Sequence, residues 1–253
     1  MSDLGSICLQ GWTAGQLNNP KFDWVGNVKK RFRQQEVDSH HENISSVFAM
    51  FWNLGRQKCP APIIQNFEEF LTLVNPPRLQ YNPSVPSFTI SLNSESHQIH
   101  NQPFAPPSGQ TTYNYSRYIH TETNATRYMI LWFTDRQCSS SVNSVECGGN
   151  FFLASYGIRV RAERDTFIAW EPKKAHGTSL MERGDSFIQR GLSIGIGNRL
   201  GSVWEKFRSG LYFEDNMEEE VAKAFEEDEE HEDICQERVH GGRPGLRPRG
   251  TMA

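Results

Sequence analysis

Residues 118–124 read YIHTETN and residues 165–178 read DTFIAWEPKKAHGT, each closing a segment rich in β-branched and aromatic side chains. On a strand, side chains two positions apart share a face. His120 and Glu122 therefore converge while Thr121 turns away. In the second stretch an apolar strand runs into a turn, and His176 stands directly beyond it. A sheet folded over on itself brings that position to the mouth of the earlier strand. One His-x-Glu pair is common by chance, and the second histidine, placed to approach it, gives the pair its weight.

On either side of these segments the chain breaks into short strands. Phe88–Leu92, Thr111–His120, Arg127–Phe133, Phe151–Tyr156, Ile158–Val160, Thr166–Trp170 and Phe187–Ile196 are each bounded by Gly, Pro, Asn or Asp. Ser94–Gln110, with three prolines, reads as loop. Short strands in series without helices between them predict a barrel or jelly roll. Upstream of Pro77 the pattern is helical. Trp24, Val28 and Phe32 lie four apart within 22–36, and a second helix covers Ile44–Leu54 with Gly55 as its stop. A third follows Pro62, where Ile63, Ile64, Phe67, Phe70, Leu71 and Val74 form a stripe that Asn75-Pro76-Pro77 ends. The expected class is mainly β with supporting helices (α+β), a double-stranded β-helix or jelly roll packed against N-terminal helices. Residues 1–84 are the helical support, 85–213 the core, and 214–253 an acidic segment with a Gly/Arg/Pro tail.

At 253 residues and 37% hydrophobic, the chain is able to bury a sizeable core. It has neither a bilayer-length apolar run nor a signal-peptide start, so no membrane partner is expected and the location is intracellular, cytoplasmic or nuclear. Its five cysteines are odd in number and never spaced CxxC, which favours reduced thiols over a zinc site or a disulfide framework. Residues 214–253 carry 13 acidic and 5 basic side chains, leaving 17 acidic and 21 basic in the rest. The body is thus slightly positive, which permits a nucleic-acid partner without establishing one.

Two imidazoles and a carboxylate on one face of an octahedral ion leave three cis positions open, the facial arrangement of non-haem Fe(II) oxygenases. His120, Glu122 and His176 are the candidate metal ligands and catalytic centre. Arg190 opens the strand FIQRGLSIGIG, and a guanidinium placed in an apolar strand calls for a carboxylate partner. That partner is either a bound acid or a protein side chain. His40-His41, His97 and His100 are weaker candidates, since a helix cap and a flexible loop explain them. Tyr113, Tyr115 and Tyr118 beside Arg117 suggest base stacking or, more simply, a packed barrel wall.

The succession His120-x-Glu122, Asn124, Gly148-Gly149, His176 and Arg190 resembles the Fe(II)/2-oxoglutarate dioxygenases. It is most similar to the prolyl-hydroxylase-like branch, including fungal proteins related to the TET/JBP nucleobase oxygenases. The resemblance spans roughly residues 85–200 and departs from the usual pattern in carrying Glu rather than Asp. It implies Fe(II) on His120, Glu122 and His176, with 2-oxoglutarate and molecular oxygen as co-substrates. It further implies Arg190 (or Arg183) on the distal carboxylate, with Asn124 and Tyr118 as contacts around the co-substrate. The substrate to be hydroxylated or oxidised is unidentified, a nucleobase being one possibility. The alternative is a catalytically silent β-helix that binds a protein or nucleic acid.

Overall fold

The computed structural model describes residues 4–26, 32–138, 147–181 and 187–210. Arg183 and the acidic segment 214–253 lie outside the described residues. The strands are β1 (Leu4–Gln16), β2 (Asn19–Trp24), β3 (Ser87–Leu92), β4 (Glu95–His100), β5 (Ser108–Ser116), β6 (Met129–Gln137), β7 (Phe151–Leu153), β8 (Ile158–Val160), β9 (Phe167–Trp170), β10 (His176–Thr178) and β11 (Ile188–Ile194). Three helices, α1 (Gln34–Lys58), α2 (Ala61–Val74) and α3 (Asn198–Arg208), complete a mixed α+β fold. Every strand pairing is antiparallel. A large sheet runs β2-β1-β5-β11-β6-β9, a small one runs β10-β7-β8, and β3-β4 is a separate hairpin. Among the described residues no sheet closes into a barrel.

The central strands carry apolar side chains on both faces, and their alternation divides the core in two. From β6 and β9, Ile130, Trp132, Phe167 and Ala169 point to the helices. Met129, Leu131, Phe133, Ile168 and Trp170 point the other way, onto Phe151, Leu153 and Val160 of the small sheet. The helix layer is dominated by Phe48, Phe51 and Trp52 of α1 and Phe67 of α2, all fully buried. Each such side chain contributes roughly 1.5–3 kcal/mol of transfer free energy.

Several local expectations are corrected. The helix expected over 22–36 is interrupted: Phe22-Asp23-Trp24 belongs to β2, and the helix begins only at Gln34, where Glu36 Oε2 accepts the Arg33 N–H at 2.9 Å. Aromatic residues four apart suit a helix, but Trp12 stacks on Phe22 at 4.9 Å and draws that stretch into a hairpin. Gly55 does not stop α1, which runs on to Lys58 ahead of Pro60. A Cβ at Gly55 would lie 3.3 Å from Ile130 Cδ1, so this glycine instead lets the helix rest closely on β6. The loop expected over Ser94–Gln110 contains β4 and the start of β5. Strand β1 and helix α3 were not signalled by the sequence pattern.

A candidate metal centre

The site sits where the two sheets meet. After Ser116, β5 leaves the large sheet and its continuation zips onto β10. Thr178 N–H donates to Arg117 O at 2.9 Å, and His120 and His176 exchange backbone hydrogen bonds at 2.8 and 2.9 Å. One bridge thus sets the two histidines opposite each other, although they come from different sheets. Glu122 follows two residues on, its N–H held by Pro172 O at 3.0 Å.

The ligand atoms of His120, Glu122 and His176 all lie within 4.8 Å of one another. His176 Nε2 is 3.3 Å from Glu122 Oε1, and the two imidazole rings are 4.4 Å apart. His120 Nδ1 contacts Tyr118 O at 2.8 Å, and His176 Nδ1 contacts Lys174 O at 2.8 Å. A carbonyl can only accept, so both Nδ1 atoms carry hydrogen, and Nε2 is the nitrogen each ring offers a cation once any proton shared with Glu122 has left. This is the second-shell pattern that orients metal-binding imidazoles. An octahedral ion with bonds of about 2.1 Å holds cis ligands about 3 Å apart. The His176–Glu122 spacing of 3.3 Å is close to that, and the full set lies within 4.8 Å.

The electrostatics suit a cation. Burial pushes the His120 imidazole below its ordinary value, helped by the neighbouring His176 and Arg117 and opposed by the Tyr118 carbonyl. Burial works to raise the Glu122 carboxyl. The hydrogen bond from His176 and the charges of His176, His120 and Arg117 outweigh it, and the net shift is downward. A neutral imidazole and an ionised carboxylate are the forms that bind metal.

The triad opens into a cavity of about 110 Å³ continuous with solvent. Its lining is apolar at Met129, Leu131, Phe133, Phe151 and Trp170 and polar at Gln110, Thr112, Arg117, Thr178, Gln189 and Ser193, with Gln110, Ser193 and Leu131 side by side on the large sheet. His176 is 3% exposed, with Phe151 and Trp170 rings 5.9 and 5.6 Å from its own.

The other expected contacts do not line this cavity. Strand β11 turns Gln189 and Ser193 toward it, which sends Arg190 to the opposite face. There Arg190 donates to Asp135 Oδ2 at 2.9 Å and lies over the Tyr113 ring. Asn124 is buried but directs its amide to Thr126 Oγ1 at 2.8 Å, closing a turn. Tyr118 is 57% exposed, because the chain bends as it leaves β5 and reverses the face expected from counting back from His120. His97 and His100 lie on β4, with His97 3.8 Å from Glu95, and His41 is buried beside Tyr81; none joins the triad. Gly148-Gly149 has a packing role. Both take positive φ, and an added Cβ would meet Leu180 O at 1.7 Å or Gln189 Oε1 at 2.4 Å. Of the cavity residues, Arg117, Gln110 and Gln189 went unassigned from sequence; polar residues in a strand otherwise flanked by apolar ones were their only signal.

No family model and no curated protein matches the chain. Among solved structures 17 chains match. One is NgTET1 in complex with 5mC DNA, similar at a TM-score of 0.47 and 10% identity, over 78% of this chain and 62% of that one. This chain therefore spans less than two thirds of the length of that structure. What it shows on its own atoms is a His-His-Glu cluster at the junction of two antiparallel sheets, its ligand atoms near enough to one another to hold a metal ion.

Proposed function

We propose that the protein is an Fe(II)- and 2-oxoglutarate-dependent dioxygenase. The observation that carries this is the orientation of the triad: two imidazoles with Nδ1 fixed by main-chain carbonyls, gathered with one carboxylate so that the ligand atoms lie within 4.8 Å. On this reading the two facing sheets are an open double-stranded β-helix. Residues 85–213 form the functional core, residues 1–84 support it, and the setting is intracellular. His120, His176 and Glu122 are the residues that would hold the ion, and all three line the cavity. Iron held this way supplies oxidation of a substrate by molecular oxygen, coupled to decarboxylation of 2-oxoglutarate. The protein orients and shields. Phe151 and Trp170 keep water from the buried side of His176, and the backbone bond from Glu122 N–H to Pro172 O fixes where the carboxylate enters. The polar lining provides hydrogen bonds for a bound acid.

A second reading is a silent binding module. The direct His176–Glu122 contact at 3.3 Å favours it, since the triad is able to satisfy itself without an ion. Anaerobic titration with Fe(II) and then 2-oxoglutarate separates the two. A visible metal-to-ligand charge-transfer band in the wild type, lost in His176→Ala and Glu122→Ala, supports the oxygenase. Ligand loss should weaken iron binding by more than the roughly 10- to 100-fold typical of outer partners. No band at saturating iron and oxoglutarate would leave only the binding module.

A further inference from the structure

One tight turn holds two members of the triad. Residues 171–174 follow β9 with Pro172 at the second position, and the Lys174 N–H closes the turn onto Glu171 O at 2.9 Å. Pro172 is fully buried, and its carbonyl accepts the Glu122 N–H at 3.0 Å. The Lys174 carbonyl, two residues on, meets His176 Nδ1 at 2.8 Å. The carboxylate and one imidazole thus take their bearings from the same four residues. A displacement of this turn disturbs both at once.

The turn is braced from outside the cavity. Arg127 donates from Nε and Nη2 to Glu171 Oε1 at 2.8 and 2.7 Å, and its guanidinium lies over the Tyr128 ring. The backbone of Arg127 is anchored in its turn. Its N–H donates to Asn66 Oδ1 of α2 at 2.8 Å, and the nearby Ala125 N–H donates to Ile196 O at 2.6 Å. Asn124 ties the same loop by donating to Thr126 Oγ1 at 2.8 Å. A chain of contacts therefore runs from α2 through Arg127 and Glu171 to the two carbonyls.

Arg190–Asp135 is a matched pair on the far face of the large sheet. Its nitrogen–oxygen distance is 2.9 Å, and its side chains are 54% and 24% exposed, against 65% and 26% for Arg127–Glu171. Exposed ion pairs of this kind contribute little to global stability. What separates the two pairs is what each is attached to.

We propose that Arg127 and Glu171 are positioning residues for the metal centre, their ion pair holding the 171–174 turn so that Glu122 and His176 face one point. The consequence for the metal rests on the reading above. The positioning itself is measurable without an ion.

The first measurement is nitrogen-15 NMR on the metal-free protein. In Arg127→Ala the Glu122 amide should exchange with solvent roughly 10-fold faster than in wild type, and the His176 Nδ1–H signal should weaken. The second is anaerobic Fe(II) titration against a competing chelator. Arg127→Ala and Glu171→Ala should bind roughly 10- to 100-fold more weakly, the range for partners that orient a ligand. Arg127→Lys keeps a donor for Glu171 and should recover most of the loss, with urea midpoints at the wild-type value throughout. Glu171→Gln keeps an acceptor oxygen and should fall between wild type and Glu171→Ala; it carries the test if Arg127→Ala does not fold. Arg190→Ala should match wild type in both measurements. Unchanged Glu122 exchange in Arg127→Ala, unchanged Fe(II) affinity in both Glu171 variants, or an equal loss in Arg190→Ala would overturn the proposal. A wild type that takes up no Fe(II) would sink the metal reading, and the exchange rates alone would then decide whether the pair positions the two side chains.

Discussion

At the scale of the residue, the meeting of His120, Glu122 and His176 was legible because two of them share a strand face in the sequence pattern and the third lies just beyond an apolar strand. The cavity's Arg117 was not. Its face depends on a bend after Ser116 that reverses the alternation, and nothing in YNYSRYIH announces the bend. His41 makes a separate case of residue chemistry. It is 3% exposed, its ring packs on Trp24 and Tyr81, and its Nδ1 has no hydrogen-bond partner among the described residues. Burial and the adjacent His40 lower its pKa, while Asp38 opposes them. Protons then prefer the unfolded chain. Stability from this group is complete above the ordinary histidine value near 6.5 and is lost as pH falls through the lowered folded value. Urea unfolding at pH 7.5 and 5.5 should show a loss in the wild type that shrinks in His41→Phe. Equal losses in both proteins would show that His41 is not the group responsible.

Elements were readable where their signal was local. Phe88–Leu92, Ile158–Val160 and Thr166–Trp170 alternate plainly, and α2 carries its own stripe and its own proline stop. Strand β1 contains three glycines with positive φ, Gly5, Gly11 and Gly15, and is held as a strand by pairing with β5 and β2. Strand β4 is polar and exposed, and exists through a tight turn in which Asn93 and Ser94 both take positive φ. The pairing of β1 with β5 is specified by a partner distant in the chain, which a pass along the sequence does not see. The close seating of α1 on the large sheet yields a prediction at this scale. A Cβ at Gly109 of β5 would lie 2.3 Å from Phe48 Cε1 and 2.8 Å from Ser193 O. Gly109→Ala should destabilise the protein by about 1–3 kcal/mol, the usual cost of overpacking, with metal affinity unchanged. A neutral result in denaturant titration would mean that the helix layer yields more easily than its packing implies.

For the molecule as a whole, the helices-on-sheet arrangement was legible and the closed jelly roll was not what the hydrogen bonds form. The large and small sheets meet face to face across Met129, Leu131, Phe151 and Trp170, and the triad joins them, His120 extending from β5 and His176 lying on β10. A bound ion therefore acts as a staple across the junction. At a metal concentration of about 100 times Kd the native state gains about 2.7 kcal/mol, which for a chain of this size raises Tm by roughly 5–10 °C. Scanning calorimetry with and without anaerobic Fe(II) should show that rise in wild type and not in His176→Ala; the same rise in both would place the ion elsewhere. The split between sheets also fixes when loading is possible during biosynthesis. His120 and Glu122 leave the ribosome 54 residues or more ahead of His176. At about 5–20 residues per second, the nascent chain spends roughly 3–10 s holding only part of its chelate. On the proposed reading, the full set of three ligands exists only once translation has passed His176 and the second sheet has docked.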